Sequence, residues 1–168
     1  MPNAPVKRTF FVAATTIILV LSGVCSTSAG EPRLEVRQAT QRFYRALNTM
    51  FTGDVAPMLD LWSHADDVTY MGPFGKILVG WEKISAAWKQ QARLKLGGRV
   101  EPSDLHIVAN DSLGVTVGYE RGTNYQDGKP LSVAIRATNV FRRESGEWKM
   151  IGHHTDLFHG PAGKPRTP

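Results

Sequence analysis

The stretch Arg142-Arg143-Glu144-Ser145-Gly146-Glu147-Trp148-Lys149-Met150-Ile151, running into His153-His154-Thr155-Asp156, decides the architecture. It reads as a β-hairpin: a strand, a Glu-Ser-Gly-Glu turn, and a second strand opened by Trp148 and closed by ionisable groups. Successive strand side chains point to opposite faces, so residues two apart share one. His154 and Asp156 are therefore expected together on one face and His153 on the other. A histidine beside a carboxylate on a buried sheet face suits acid–base work or ligand binding, and equally a structural pair.

Upstream of the hairpin the apolar period is two. Leu105, Ile107 and Ala109 alternate with His106 and Val108. Leu113, Val115, Val117 and Tyr119 follow a turn at Asn110-Asp111, and Gln126-Asp127-Gly128-Lys129 turns the chain into a long strand, Leu131 to Arg143. Further upstream the period is helical. Glu31-Pro32 opens a helix carrying Val36, Ala39, Phe43, Ala46, Leu47 and Met50 at three- and four-residue spacing. Asp54 is placed to cap a short second helix with Val55, Met58, Leu59 and Trp62. A polar connector, Ser63 to Asp67, leads to a short strand, Val68 to Met71. A third helix carries Trp81, Ile84, Trp88 and Ala92 and stops at Gly97-Gly98. Helices first and consecutive hairpins second predict an α+β domain, with three N-terminal helices against one face of a curved antiparallel sheet.

The approach to the third helix, Gly75 to Trp81, and the terminal Trp148-Lys149-Met150-Ile151 with His153-His154 resemble the SnoaL-like branch of the nuclear-transport-factor-2 (NTF2-like) superfamily. The chain is also similar to the association domain of calcium/calmodulin-dependent protein kinases. The resemblance covers about Leu34 to Phe158. It implies a cone-shaped fold with a mostly apolar pocket between helices and concave sheet, used in the family by isomerases, cyclases and dehydratases and by proteins that only bind or assemble. It also implies that His154 lies inside the cone; Gly152 replaces an earlier histidine of the kinase branch, and Asp156 stands where that branch has a small hydroxyl residue.

At 168 residues with 42% apolar content the chain suits one domain. Residues 1–29 are set apart as a signal peptide, since Lys7 and Arg8 precede an uncharged apolar run, Phe10 to Val24, and small residues lead to Ala29. That run is short of the roughly 20 residues a membrane span needs. Export to the periplasm or medium is the expectation, with a lipid anchor at Cys25, the single cysteine, as the lesser alternative. The intact mass of the exported protein should match a chain starting at Gly30; a chain beginning at lipidated Cys25, or retaining Met1, would be the contrary result. The remaining domain spans residues 31–158, and the Gly- and Pro-rich residues 159–168 read as a disordered tail.

Losing Lys7 and Arg8 lowers the 20 basic residues to 18 against 15 acidic, reducing the net charge from +5 to +3. Both signs are interspersed and no recognition motif is present, so nucleic acid is excluded as a partner. No phosphate-binding glycine loop, nucleophile elbow or convergent three-ligand metal spacing appears, and neither a cofactor nor a metal is implied.

The candidate site residues are then few. His154 and Asp156 are the candidate catalytic pair. Arg136 falls near His154 on the preceding strand and, facing inward, would clamp a carboxylate or Asp156. A one-residue slip would put it on the other face. Trp62, Tyr70 and Tyr119 join Arg136 and His154 as candidate ligand-binding residues, with Tyr70 able to donate a hydrogen bond to a carbonyl or enolate. Aromatics at helical spacing otherwise fill the core. Asp66 or Asp67 is a candidate base at the cone mouth, or a cap. The expected function is binding of a small, largely apolar molecule. The alternatives are a cofactor-free acid–base enzyme (isomerase, lyase or cyclase) and an oligomeric assembly module. A homodimer is expected on the face carrying Val133, Ile135, Ala137, Asn139 and Phe141, taken as the outer one.

Overall fold

The structure, a computed structural model, describes residues 30–73 and 75–157. The proposed signal peptide and residues 158–168 lie outside that range. The elements are α1 Gly30–Met50, α2 Ala56–Leu61, β1 Thr69–Met71, β2 Leu78–Val79, α3 Trp81–Arg93, β3 Arg99–Ala109, β4 Leu113–Gln126, β5 Lys129–Glu144 and β6 Glu147–Leu157. One six-stranded sheet has the order β2-β1-β6-β5-β4-β3. All its pairings are antiparallel except β1 with β6.

The α1 stripe is the expected one. Val36, Phe43 and Met50 are fully buried against the sheet, with Leu47 and Ala46 beside them. Asp54 accepts the backbone N–H of Ala56 at 3.0 Å and starts α2. Trp62 and Trp88, both buried, stand 6.2 Å apart and join α2 and α3 to the core with Phe141 and Met150. Covering a concave sheet with three helices buries these large side chains, at roughly 25 cal/mol per Å2 of apolar surface removed from water.

Two irregularities shape the sheet. Between Val140 and Phe141 on β5 the partners on β6 step from Gly152 to Met150, which leaves Ile151 as an extra residue. Such a bulge shifts the side-chain alternation by one. Trp148 and Met150 face the helices, and past Ile151 it is His153 and Thr155 that continue inward, while His154 and Asp156 turn outward. On β3, Ser103 to His106 forms the second irregularity, with Asp104 at φ 51°. Beside it β3 and β4 lie so close that a Cβ on Gly118 would sit 2.7 Å from the Ser103 carbonyl oxygen. Only glycine permits that approach.

The expected alternation along β5 is present, but its faces are reversed. Ala137, Asn139 and Phe141 are buried under α1, and Arg136 and Thr138 lie on the outer face. The row expected as a dimer surface, Val133 to Phe141, is therefore the inner one. The physical reason is that α1 docks on the side where Phe141, Trp148 and Met150 converge.

Candidate functional site

The inner face of β4 is the row Gly114, Thr116, Gly118, Glu120, Gly122 and Asn124, in which Thr116, Glu120 and Asn124 are buried. The apolar row Leu113, Val115, Val117 and Tyr119 points outward. Glu120 thus enters the cone interior at 4% exposure and meets His153, 5% exposed, from β6. His153 Nε2 is 3.9 Å from Glu120 Oε1, and that oxygen has no hydrogen-bond partner among the described residues. The other nitrogen, Nδ1, donates to Asn139 Oδ1 at 2.6 Å, while Asn139 Nδ2 donates to Thr116 Oγ1 at 3.2 Å. This chain of bonds sets the imidazole as the Nδ1–H tautomer, and its Nε2 lone pair faces the carboxyl.

Aromatic rings wall the pair. Phe43 lies 4.8 Å from the His153 ring, Tyr70 stacks on it at 5.8 Å with planes 13° apart, and Trp88 is 6.1 Å away. The Tyr44 hydroxyl reaches both Glu120 and Asn139. Tyr70 accepts a hydrogen bond from Gln91 Nε2 at 2.7 Å. The indole N–H groups of Trp62 and Trp88 are buried without an acceptor among the described residues.

Burial dominates the electrostatics. It pushes the Glu120 carboxyl up to about 7, partly offset by the Tyr44 hydrogen bond. Burial, with the nearby His154, pushes His153 down to about 3. Tyr44 is raised too, first by burial and then by the adjacent Glu120. A separation of 3.9 Å without a hydrogen bond is too loose an ion pair to offset several kcal/mol of desolvation per charge. Both groups are therefore uncharged at mildly acid pH. A carboxyl that changes state near neutral pH is suited to take and return protons.

The sequence-expected site residues divide between the two faces. Tyr70 and Trp62 lie inside, Trp62 as core against Trp88. His154, Asp156, Arg136 and Tyr119 share the outer face, where they line a shallow depression of about 500 Å3. Arg136 sits directly across from both Tyr119 and Asp156 and donates to the Asp156 carboxylate at 2.9 and 2.5 Å. Arg136 thus clamps Asp156 as expected, on the solvent side. The placement of His154 inside and His153 outside is corrected by the Ile151 bulge. Asp67 is occupied by Arg142, at 2.6 and 3.2 Å. Among the described residues no group of three or more His, Cys, Asp or Glu side chains is placed to hold a metal ion.

Glu120 is not legible as a site residue in the sequence, and Asn139 is expected there on the outer face, because the apolar row of β4 points to the opposite orientation. The overlooked signal is the glycine at every fourth position, Gly114, Gly118 and Gly122. Glycines on one strand face mark where helix or neighbouring backbone comes closest, and a Cβ on Gly114 would meet Val36 of α1 at 2.4 Å.

Helices closed over a concave sheet with a buried polar pair define a cone-type α+β fold. The SnoaL-like domain is matched over residues 36–156, and the chain belongs to that family. Solved structures share the fold. A proposed dehydratase of the NTF2-like family from Streptomyces avermitilis is 20% identical, with a TM-score of 0.68 over 77% of this chain and 97% of that one. A proposed calcium/calmodulin-dependent protein kinase type II association domain from Thiobacillus denitrificans is 26% identical, with a TM-score of 0.61 over 71% and 92%. An NTF2-like protein of unknown function from Pseudomonas putida is 20% identical, with a TM-score of 0.67 over 83% and 96%. No protein of curated function matches significantly.

Proposed function

We propose that the cone interior is a cofactor-free proton-transfer site of isomerase or lyase type, acting on a small carbonyl compound held among Phe43, Tyr70 and Trp88. The observation that carries this is the buried, unpartnered Oε1 of Glu120 facing the fixed Nε2 of His153. Glu120 as carboxylate removes a proton from the carbon beside the carbonyl, and the C–H electron pair moves into an enolate. The Trp88 N–H, which lacks an acceptor, is a donor available to the enolate oxygen. The protonated Glu120 carboxyl turns its O–H to the Nε2 lone pair of His153, which holds it in place until the proton is returned to carbon. The proposed dehydratase among the structural relatives is compatible with such chemistry.

The test is exchange of α-protons for deuterium, followed by NMR, with 2-oxobutyrate and with butanone. Glu120→Gln should slow exchange by roughly a hundred- to ten-thousand-fold, the usual contribution of a positioned acid–base group. If exchange is insensitive to Glu120→Gln, the site binds without chemistry.

The outer face supports a second copy of the chain as partner. Val108, Val117 and Leu113 there are 62%, 41% and 42% exposed, and are flanked by the Arg136–Asp156 pair and the two histidines His106 and His154. An apolar centre with a polar rim is the anatomy of a subunit interface. Light scattering at micromolar concentration should give twice the protomer mass, and Val117→Asp should return it to the protomer mass. A protomer mass for the unaltered chain would refute the dimer. Export of the chain by residues 1–29 remains part of this proposal, resting on their charged, apolar and small-residue order.

A further inference from the structure

The α1 residues Gln41, Tyr44, Arg45, Asn48 and Thr49 recur at three- and four-residue spacing and so share one face of the helix, and Thr52 of the following turn lies beside them. With the start of β3 at Arg99 to Pro102 they enclose an open groove of about 570 Å3. Its base is braced. The Asn48 side chain donates to the Val100 carbonyl at 2.9 Å and accepts the Val100 N–H at 2.8 Å, which occupies the free edge of β3 as a strand partner would. Between groove and interior stands Tyr44, a buried residue of the groove lining whose hydroxyl reaches Glu120. On the groove side, Arg99 is paired with Glu101 at 2.6 Å, whereas Arg45 forms no ion pair among the described residues.

We propose that this groove is the mouth of the cone and a carboxylate-binding subsite, taking an organic acid with its carboxylate at Arg45 and its reactive carbon past Tyr44 at Glu120. The inference rests on the proton-transfer reading of Glu120 and adds to it the substrate class and the route of access. A guanidinium offers a carboxylate two parallel hydrogen bonds, so it selects an acid over a neutral compound of the same shape. Tyr44 acts as a positioning residue: its hydroxyl holds the carboxyl of Glu120, and a ligand entering from the groove must displace its ring.

An amide NMR titration of the full mature chain with benzoate, and with neutral benzyl alcohol, tests the groove without requiring turnover. Benzoate should shift the amides of residues 41–52 and 99–102 saturably and bind about tenfold more tightly than benzyl alcohol. Arg45→Gln should erase that preference, and Gln41→Trp, an exposed substitution at the rim, should weaken both ligands. Equal affinity of the two ligands, or benzoate shifts centred on His106 and His154, would overturn the proposal. The failure of the underlying reading looks different. Glu120→Gln should keep benzoate in the groove while losing proton exchange, so unchanged exchange in Glu120→Gln counts against the dyad and leaves the groove standing.

Discussion

Replacing His153 should slow proton exchange by orders of magnitude, whereas replacing His154 should leave it within about twofold of the parent chain. His153→Asn is the informative substitution. Its side-chain amide can still donate to Asn139 Oδ1, as Nδ1 does now at 2.6 Å, but offers nothing at the Nε2 position facing Glu120. The fold should survive, and exchange should fall by roughly a hundred- to ten-thousand-fold, as for loss of a positioned acid–base partner. His154 is exposed on the other side of the sheet, beside Thr138 and clear of the Glu120–His153 pair. The reverse result, with His154→Ala inactive and His153→Asn active, would return the chemistry to the outer face with Arg136 and Asp156.

The stability of the parent chain should be nearly flat between about pH 4.5 and 6.5, and two substitutions should tilt it in opposite directions. Glu120 holds its proton more tightly folded, near 7, than the ordinary 4.5. Its folded state is favoured at low pH, and that advantage is lost as pH rises from 4.5 through 7. His153 binds its proton more weakly folded, near 3, than the ordinary 6.5. Its contribution is therefore complete above 6.5 and is lost as pH falls toward 3. Each pKa unit is worth about 1.4 kcal/mol. The Glu120 loss amounts to something on the order of 3 kcal/mol, and the His153 loss to something on the order of 5 kcal/mol, with opposite signs where the windows overlap. Glu120→Gln should leave a chain that gains stability steadily from pH 3 to 6.5, and His153→Asn one that loses it from 4.5 to 7. Urea unfolding of the three proteins at matched pH reads these slopes directly. Glu35, held below its usual value chiefly by the Trp148 indole N–H and also by Arg143, adds its own acid limb, which matched-pH comparison removes. Parallel slopes in the two variants would mean that the pair is not held in a low-dielectric interior.

Both expectations turn on a single residue of register. The order of elements was legible in the sequence because each rests on local physics. The helical stripe of α1, the Asp54 start of α2 and the turns at Asn110, Asp127 and Ser145 all depend on neighbours within a few positions, whereas α3 ends at Arg93, with Lys95 at φ 47°, before the expected Gly97-Gly98 stop. The α+β class follows from that order, and the SnoaL-like resemblance agrees with the matched family. The partition of β5 was legible as well. Ala134, Arg136 and Thr138 do share one face, and Ala137, Asn139 and Phe141 the other.

Which partition faces the helices was not legible, because period-two alternation is symmetric between the two sides of a sheet. On β4 the apolar row, the usual mark of a core face, is turned outward, leaving Val117 and Leu113 exposed. Along β6 the extra residue Ile151 reverses the parity between Trp148 and the histidines, so that a correct inward Trp148 leads by counting to the wrong histidine. A bulge is a property of two strands and the helix packed on them, and no local composition announces it. The sequence by itself determined the elements, their order and the residues that share a face. Only the docking of α1 onto Phe141, Trp148 and Met150, and the bulge that reconciles that packing with the β5–β6 ladder, decided that Glu120 and His153 meet in the interior.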